Sequence, residues 1–289
     1  VAKGRELRGR IKSVENTRKI TRTMEMVAAS KLKRAQDRVI AARPYATALR
    51  EVIADLYSPD LADRFPLLRQ PADVRKVAVL LLTSNRGLAG AFNANLIREA
   101  RVLLTRLEGD GADVALHIVG RKGLGYFRYL GRPIASSRTD LSDVPTPDDA
   151  RRMVDDVMEA FARGELDAVY VVYARFLSAL STPPTAERIL PVTPPERPTD
   201  AARPDPILAP SAEAILGELL PAYVRNTVYR GMVESVAAEQ GARRSAMKSA
   251  TDNATDMLNT LKRTFNRARQ AQITQEIAEI VGGAAALEG

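Results

Sequence analysis

The chain has 289 residues, 45% of them hydrophobic and 27% charged, with a formal net charge of +8, which is enough for one sizeable core or two modest ones and is unlike a disordered polymer. With no cysteine and one histidine, disulfides, thiolate metal sites and cysteine nucleophiles are excluded, and a zinc cluster lacks ligands. No run approaches the ~18–20 apolar residues that span a bilayer, and the amino terminus carries no signal-peptide core, so a soluble protein on a cytoplasmic face is expected.

The charge is concentrated at one end. Residues 1–56 hold 14 Lys/Arg against 6 Asp/Glu, while the rest of the chain holds 29 of each and is neutral. From Lys3 to about Leu56, the residues Leu7, Ile11, Val14, Thr21, Met24, Ala28, Ala35, Val39 and Ala42 recur mostly at spacings of three, four or seven, with Pro44 the one internal proline. This predicts a long helix over 1–56 with a narrow stripe closer to a coiled-coil seam than to a globular helix face. Its length is on the order of 80 Å at 1.5 Å per residue. A proline-containing linker, 57–73, ends it.

Residues 74–190 change period. The run from Val74 to Asn93 reads as a strand ending in a glycine turn, followed by a helical segment over 94–109, the strand "DVALHIVG", the helical or looped "RKGLGYFRYLG", a helix from about Pro147 to Ala162 and a strand within 166–180. Strands alternating with helices predict a Rossmann-like α/β domain with a largely parallel sheet. His117 reads as a packed strand histidine. The loop "TSNRGLAGAFN" has neither Gly-x-Gly-x-x-Gly spacing nor a Gly-Lys-Ser/Thr ending, and Gly120, Gly123 and Gly125 give the dinucleotide spacing reversed. These glycines read as structural ones at strand-to-helix turns, with no cofactor expected. Asp140, Asp143, Asp148 and Asp149, interleaved with Pro145 and Pro147, read as a solvated turn and not a metal site. The sequon at Asn253 falls within a predicted helix and carries no expectation of glycosylation.

Residues 191–210 are a proline-rich linker. Ser211 is the expected N-cap of a second long helix over 211–289, with Glu213 in its first turn and Pro221 expected to kink or restart it. Two long helices whose stripes cannot be buried alone should pair, and the intervening domain returns the chain, so an antiparallel coiled coil with a central α/β domain is predicted. Within "QGARRSAMKSATDNATD" (Gln240–Asp256), Gly241, Ala242, Ser245, Ala246, Ser249 and Ala250 allow close approach of a partner helix. Arg243, Arg244, Lys248, Asp252, Asn253 and Asp256 are expected to face outward. Further on, Ile273, Ile277 and Ile280 make the tip apolar.

Four segments, Ile11–Gln36, Leu80–Asn93, Glu239–Met257 and Arg267–Leu287, resemble in matching order the gamma subunit of bacterial F-type ATP synthases. The resemblance implies a rotor shaft that is not itself an enzyme. Its coil would turn inside a head of three alpha and three beta subunits, and its α/β domain would rest with epsilon on the c-ring, while catalysis occurs in beta. It also implies peripheral placement at the cytoplasmic face of the bacterial cell membrane, with contact to membrane only through the complex, and no cofactor, metal or catalytic residue. Met24 and Lys31 match positions passing the beta levers. Arg269, Gln270 and Thr274 match contacts with the head, joined by Ile277 and Ile280 near the tip. Tyr223, Arg225 and Glu234 match the foot facing epsilon and the c-ring, with Arg225 standing where many relatives have an acidic or neutral residue. Two rivals remain from the residues alone. A basic coiled coil could bind nucleic acid, although 5% aromatic content and no Trp offer little for base stacking. A nucleotide-binding α/β enzyme with helical extensions is the other.

Overall fold

The computed structural model describes residues 2–57, 64–193 and 211–288, with side chains over 5–57, 64–193 and 211–283. The predicted linkers therefore lie partly outside the described residues, at 58–63 and 194–210. The described chain runs α1 (Ala2–Leu56), a 3-10 turn (Pro66–Leu68), β1 (Lys76–Leu82), α2 (Phe92–Gly109), β2 (Asp113–Val119), α3 (Arg121–Tyr129), β3 (Ser136–Arg138), α4 (Pro147–Ala162), β4 (Ala168–Ala174), β5 (Pro184–Leu190) and α5 (Ala212–Glu288). It divides into two compact units, Ala29–Ala242 and Val1–Ala28 with Arg243–Gly289. This division cuts across the five segments read from the sequence, because the inner ends of both long helices pack on the sheet.

In the larger unit the strand order is β3-β2-β1-β4-β5. All neighbours are parallel except β4 and β5. Successive residues of a strand face opposite sides, and β1 is buried on both. Val77, Val79 and Leu81 join a cluster with Leu96, Leu103 and Leu107 of α2. Ala78, Leu80 and Leu82 join another with Val154 and Phe161 of α4. This double coverage explains the near-continuous apolar run of β1, as parallel strands require.

Two strands had no signal in the sequence. β3 is three polar residues, Ser136–Arg138. β5 begins with Pro184 and is mostly half-exposed, which suits an edge strand where a missing N–H is tolerated and leaves no clean alternation to read.

α5 starts as expected: Ser211 Oγ accepts from the Ala214 N–H at 3.2 Å. It then continues through Pro221 as one helix, so of the expected kink or restart the restart does not occur. Leu216, Leu220, Val224 and Val228 around it are each at most 1% exposed. Fully burying four such side chains is worth ~1.5–3 kcal/mol apiece, against ~3 kcal/mol for an interior proline, so packing outweighs the lost bond.

In the smaller unit the two helices form an antiparallel coil. Arg8 stacks over the Phe265 ring at 5.2 Å and the Thr251 hydroxyl meets that of Thr21 at 2.8 Å, so a step along α1 matches a step back along α5. A row of buried or half-buried positions runs through Leu7, Ile11, Val14, Arg18, Thr21, Glu25 and Ala28 on α1 and through Arg243, Met247, Thr251, Ala254, Leu258, Leu261 and Phe265 on α5, with half-buried Glu15, Met24, Ala246, Ala250 and Thr255 flanking it. These spacings alternate between three and four almost throughout, as a heptad seam requires. Two expectations are corrected by this phase: Arg243 is buried in the seam, and Ser245 and Ser249 are exposed. Of the small residues singled out, Gly241, Ala242, Ala246 and Ala250 are buried or half-buried and only the two serines face out, so heptad position and not size alone sets which residues are covered.

Candidate functional site

Three regions carry the residues singled out in the sequence. The first is the carboxyl edge of the sheet, where β1 leads to β2 on one side and pairs with β4 on the other. Open α/β folds bind nucleotides at such a switch point. Here the donors are already engaged. Thr83 Oγ1 donates to Val119 O at 2.6 Å and accepts from the Gly123 N–H at 3.0 Å. Ser84 N–H donates to Asn93 Oδ1 at 3.0 Å, and Arg121 N–H to Asn85 Oδ1 at 3.1 Å. Gly120 sits at φ +92°, where an added Cβ would lie 2.2 Å from Thr83 O. The remaining crevice is about 60 Å³ and is walled on one side by Met232, Ser235, Val236 and Glu239 of α5. A ligand pocket is ordinarily ~300 Å³ or more. The glycines pack turns together, and α5 occupies the crevice that a nucleotide would need. Leu88, an exposed leucine at φ +61° in this loop, is a feature that sequence reading missed.

His117 donates or accepts at Ser136 Oγ, 2.8 Å from its Nδ1. Burial holds its pKa below the ordinary value, with Asp156 opposing, which favours the neutral ring at physiological pH. Asp149 closes a capping box with Thr146 at the start of α4. Burial pushes its carboxyl up, but the Thr146 hydroxyl and N–H together with Arg152 outweigh that and lower it. Among the described residues no group of three or more His, Asp or Glu side chains could hold a metal ion.

The second region is the outer surface of the coil. Met24 is half-buried. Arg269, Gln270 and Thr274 are exposed, and the Thr274 hydroxyl donates to Gln270 O at 3.0 Å. Ile273, Ile277, Ile280 and Val281 are 47%, 57%, 72% and 61% exposed, an apolar stretch left in solvent. Lys31 lies in the larger unit and reaches Asp143 at 2.5 Å, so it is drawn to the domain instead of pointing freely outward.

The third region gathers the remaining predicted residues. Tyr223 is half-buried. Arg225 makes a bidentate pair with Asp155 of α4, at 2.8 and 3.0 Å, and lines an open cleft of about 640 Å³ with Arg38, Tyr45, Asp148, Arg151 and Tyr229. Glu234 does not belong to this surface. It is 8% exposed and accepts from the Phe176 N–H at 2.9 Å.

Glu234 belongs instead to a partly buried polar cluster that joins α5 to the sheet. Arg230 Nη2 donates to both oxygens of Glu187 on β5, at 3.0 and 3.1 Å. Tyr173 of β4 donates its hydroxyl to Glu187 at 2.7 Å. Ser235 Oγ accepts from the Ala174 N–H at 3.1 Å. Burial raises the Tyr173 pKa well above the ordinary phenol value, with Glu187 adding to it. Burial also raises Glu234, against the Phe176 N–H, Arg230 and Arg175. Sequence reading assigned Arg230 and Glu187 no role; the signal available was charged residues placed among the fully apolar positions Val228, Met232 and Leu190.

Comparison with known proteins agrees with this architecture. The family model described as ATP synthase matches residues 3–287. The ATP synthase gamma chain of Gemmatimonas aurantiaca is 64% identical over the whole of both chains, and that of Acidithiobacillus ferrooxidans is 44% identical over 99% of this chain and 100% of its own. Among solved structures, a chain from the Euglena gracilis mitochondrial ATP synthase OSCP/F1/c-ring structure has a TM-score of 0.68 at 19% identity, covering 99% of this chain and 95% of that one. A chain of the Tetrahymena thermophila central stalk and c-ring gives 0.60 at 24% identity, covering 80% and 99%.

Proposed function

The chain belongs to the ATP synthase gamma chain family, and on that premise we propose that it is the central rotor shaft of the enzyme, coupling ion flow through a c-ring to nucleotide turnover in a surrounding head. The head is three alpha and three beta subunits, with the reaction in beta, and this chain contributes no catalytic group. The complex lies at the cytoplasmic face of the cell membrane. Among the described residues no helix is long and apolar enough to cross it, so this chain's membrane association runs through its partners.

One observation carries the reading. The coil buries a seam with Thr21, Thr251, Arg18 and Arg243 among its members, leaving Arg269, Gln270 and Thr274 outward and the isoleucines near the tip in solvent. An outward face of polar side chains meets a housing through rim-like contacts that can be exchanged. A greasy tip without directional hydrogen bonds can turn against an apolar collar. The surface around Tyr223 and Arg225, with the cleft that Arg225 lines, is the proposed foot, facing epsilon and the c-ring. Neither a nucleic-acid platform nor a nucleotide crevice has comparable support: aromatics are sparse, and α5 fills the switch point.

Reconstitution tests this. The purified chain mixed with alpha and beta subunits of a close relative should form a complex holding one copy, with strongly raised ATP hydrolysis. A chain that stays out of the complex while binding DNA or a nucleotide tightly overturns it.

A further inference from the structure

A shaft must pass torque from the domain at its foot into its helices, and α5 belongs by sequence to both compact units. Within the larger unit most of its contact with the sheet is apolar, through Val224, Val228, Met232, Val233 and Ala237. Apolar burial is non-directional, so it holds helix and sheet together by shape alone, and directional bonds add a resistance to slip of the helix about its own axis that packing does not supply. Hydrogen bonds weaken steeply with distance and angle. A slip of ~20° moves a side chain at the helix surface by ~2 Å, taking the helix radius with side chains as about half its diameter. That is enough to break the bonds of 2.9 to 3.1 Å that α5 makes with the sheet.

Apart from the Arg225–Asp155 pair, which ties α5 to α4, the bonds that α5 makes with the sheet itself occur together at one place. Arg230 grips Glu187 of β5 with two bonds, Glu187 accepts from Tyr173 of β4, and one turn further along Glu234 and Ser235 accept the Phe176 and Ala174 N–H groups at the end of β4. The helix thereby serves as hydrogen-bond partner to the strand's own backbone. We propose that Arg230, with Glu234 and Ser235, is the torque-bearing joint that locks α5 against rotation on the sheet. Arg230 is a positioning residue: it touches neither substrate nor partner and acts by holding α5 in phase with the domain. The proposal rests on the rotor reading.

The test uses vesicles carrying the complete ATP synthase, with either this chain or its Arg230→Met variant as gamma. ATP hydrolysis is measured with the gradient collapsed by an uncoupler, and the steady ATP-driven proton gradient is measured without it. The joint predicts unchanged uncoupled hydrolysis, because an unloaded shaft carries little torque. It also predicts a several-fold smaller gradient, partly restored in Arg230→Lys, which keeps the charge but not the planar guanidinium that sets Nη2 against both Glu187 oxygens. A wild-type gradient in Arg230→Met, or a loss of hydrolysis and gradient in equal proportion, overturns it. Should Arg230→Met fail to assemble, Glu187→Gln, which keeps the side-chain shape and removes the charge, is put through the same comparison: a smaller gradient at unchanged uncoupled hydrolysis supports the joint, and a wild-type gradient or a proportional loss of both overturns it. Failure of the wild-type chain itself to assemble or pump counts against the rotor reading and not against the joint.

Discussion

The hydroxyls of Thr21 and Thr251, 230 positions apart in the chain, meet at 2.8 Å inside the coil. Thr21 donates to Arg18 O, while the single hydroxyl hydrogen of Thr251 lies within reach of both Thr21 Oγ1 and Met247 O. Both side chains are only 9% exposed, and a polar pair in a seam fixes register where apolar residues would tolerate a slip.

Replacing one member removes the cross-helix bond but leaves the other hydroxyl a carbonyl of its own helix to donate to, so each single replacement costs ~0.5–1.5 kcal/mol, whereas replacing both by an apolar isostere is close to neutral. Thr21→Val and Thr251→Val should each lower unfolding stability, and the double variant should recover most of the loss. Chemical unfolding of the four proteins of the cycle measures this; additive losses would show that the contact contributes nothing specific.

Glu234 gives a pH dependence whose sign follows from its environment. Burial is the largest influence and raises its pKa above the ordinary 4.5, Arg230 and the Phe176 N–H only partly opposing. The folded state therefore holds the proton more tightly than the unfolded chain. The stability this contributes is fully present below 4.5 and lost as pH rises through the folded value. Glu234→Gln keeps an acceptor for the Phe176 N–H and removes the titration. The melting temperature of the variant relative to the parent should climb as pH is raised from acid to neutral; a pH-independent difference would contradict the sign.

The glycines of "GRKGLG" divide by their surroundings. An alanine at Gly120 would hold φ +92° and place its Cβ against Thr83 O, so Gly120→Ala should cost ~3 kcal/mol or more, from backbone strain and overpacking together. Gly125 lies inside α3 with nothing within 4 Å of an added Cβ. There Gly125→Ala should stabilise by ~0.5–1 kcal/mol through helix propensity. Melting temperatures of the two variants, moving in opposite directions, check the assignment.

Two coil substitutions probe the proposed housing. Ile277 is 57% exposed, so Ile277→Asn should leave the unfolding of the free chain within ~0.5 kcal/mol of the parent, while weakening its activation of ATP hydrolysis in the reconstituted head. Met24→Lys adds a charge beside the proposed levers and should disturb coupling more than assembly. Unchanged ATP-driven proton pumping in Met24→Lys would count against that placement.

The long helices, the alternating strands and helices between them, and the Ser211 cap are legible in the order of the amino acids, since each depends on periodicity or on groups a few residues apart. What depends on distant partners emerges only in the folded chain. The heptad phase that buries Arg243 and exposes Ser245 is set by the facing helix. The polar strand β5 exists because β4 offers it an edge. α5 runs through Pro221 because the leucines and valines on either side of it bury against the sheet and outweigh the lost hydrogen bond. Arg230 and Glu187 look like ordinary surface charges until β5 and α5 are brought together, and only there do they meet as a half-buried pair. Glu234 was assigned to an outward foot by resemblance, but its carboxylate completes the backbone of β4, a demand visible only once that strand ends beneath the helix.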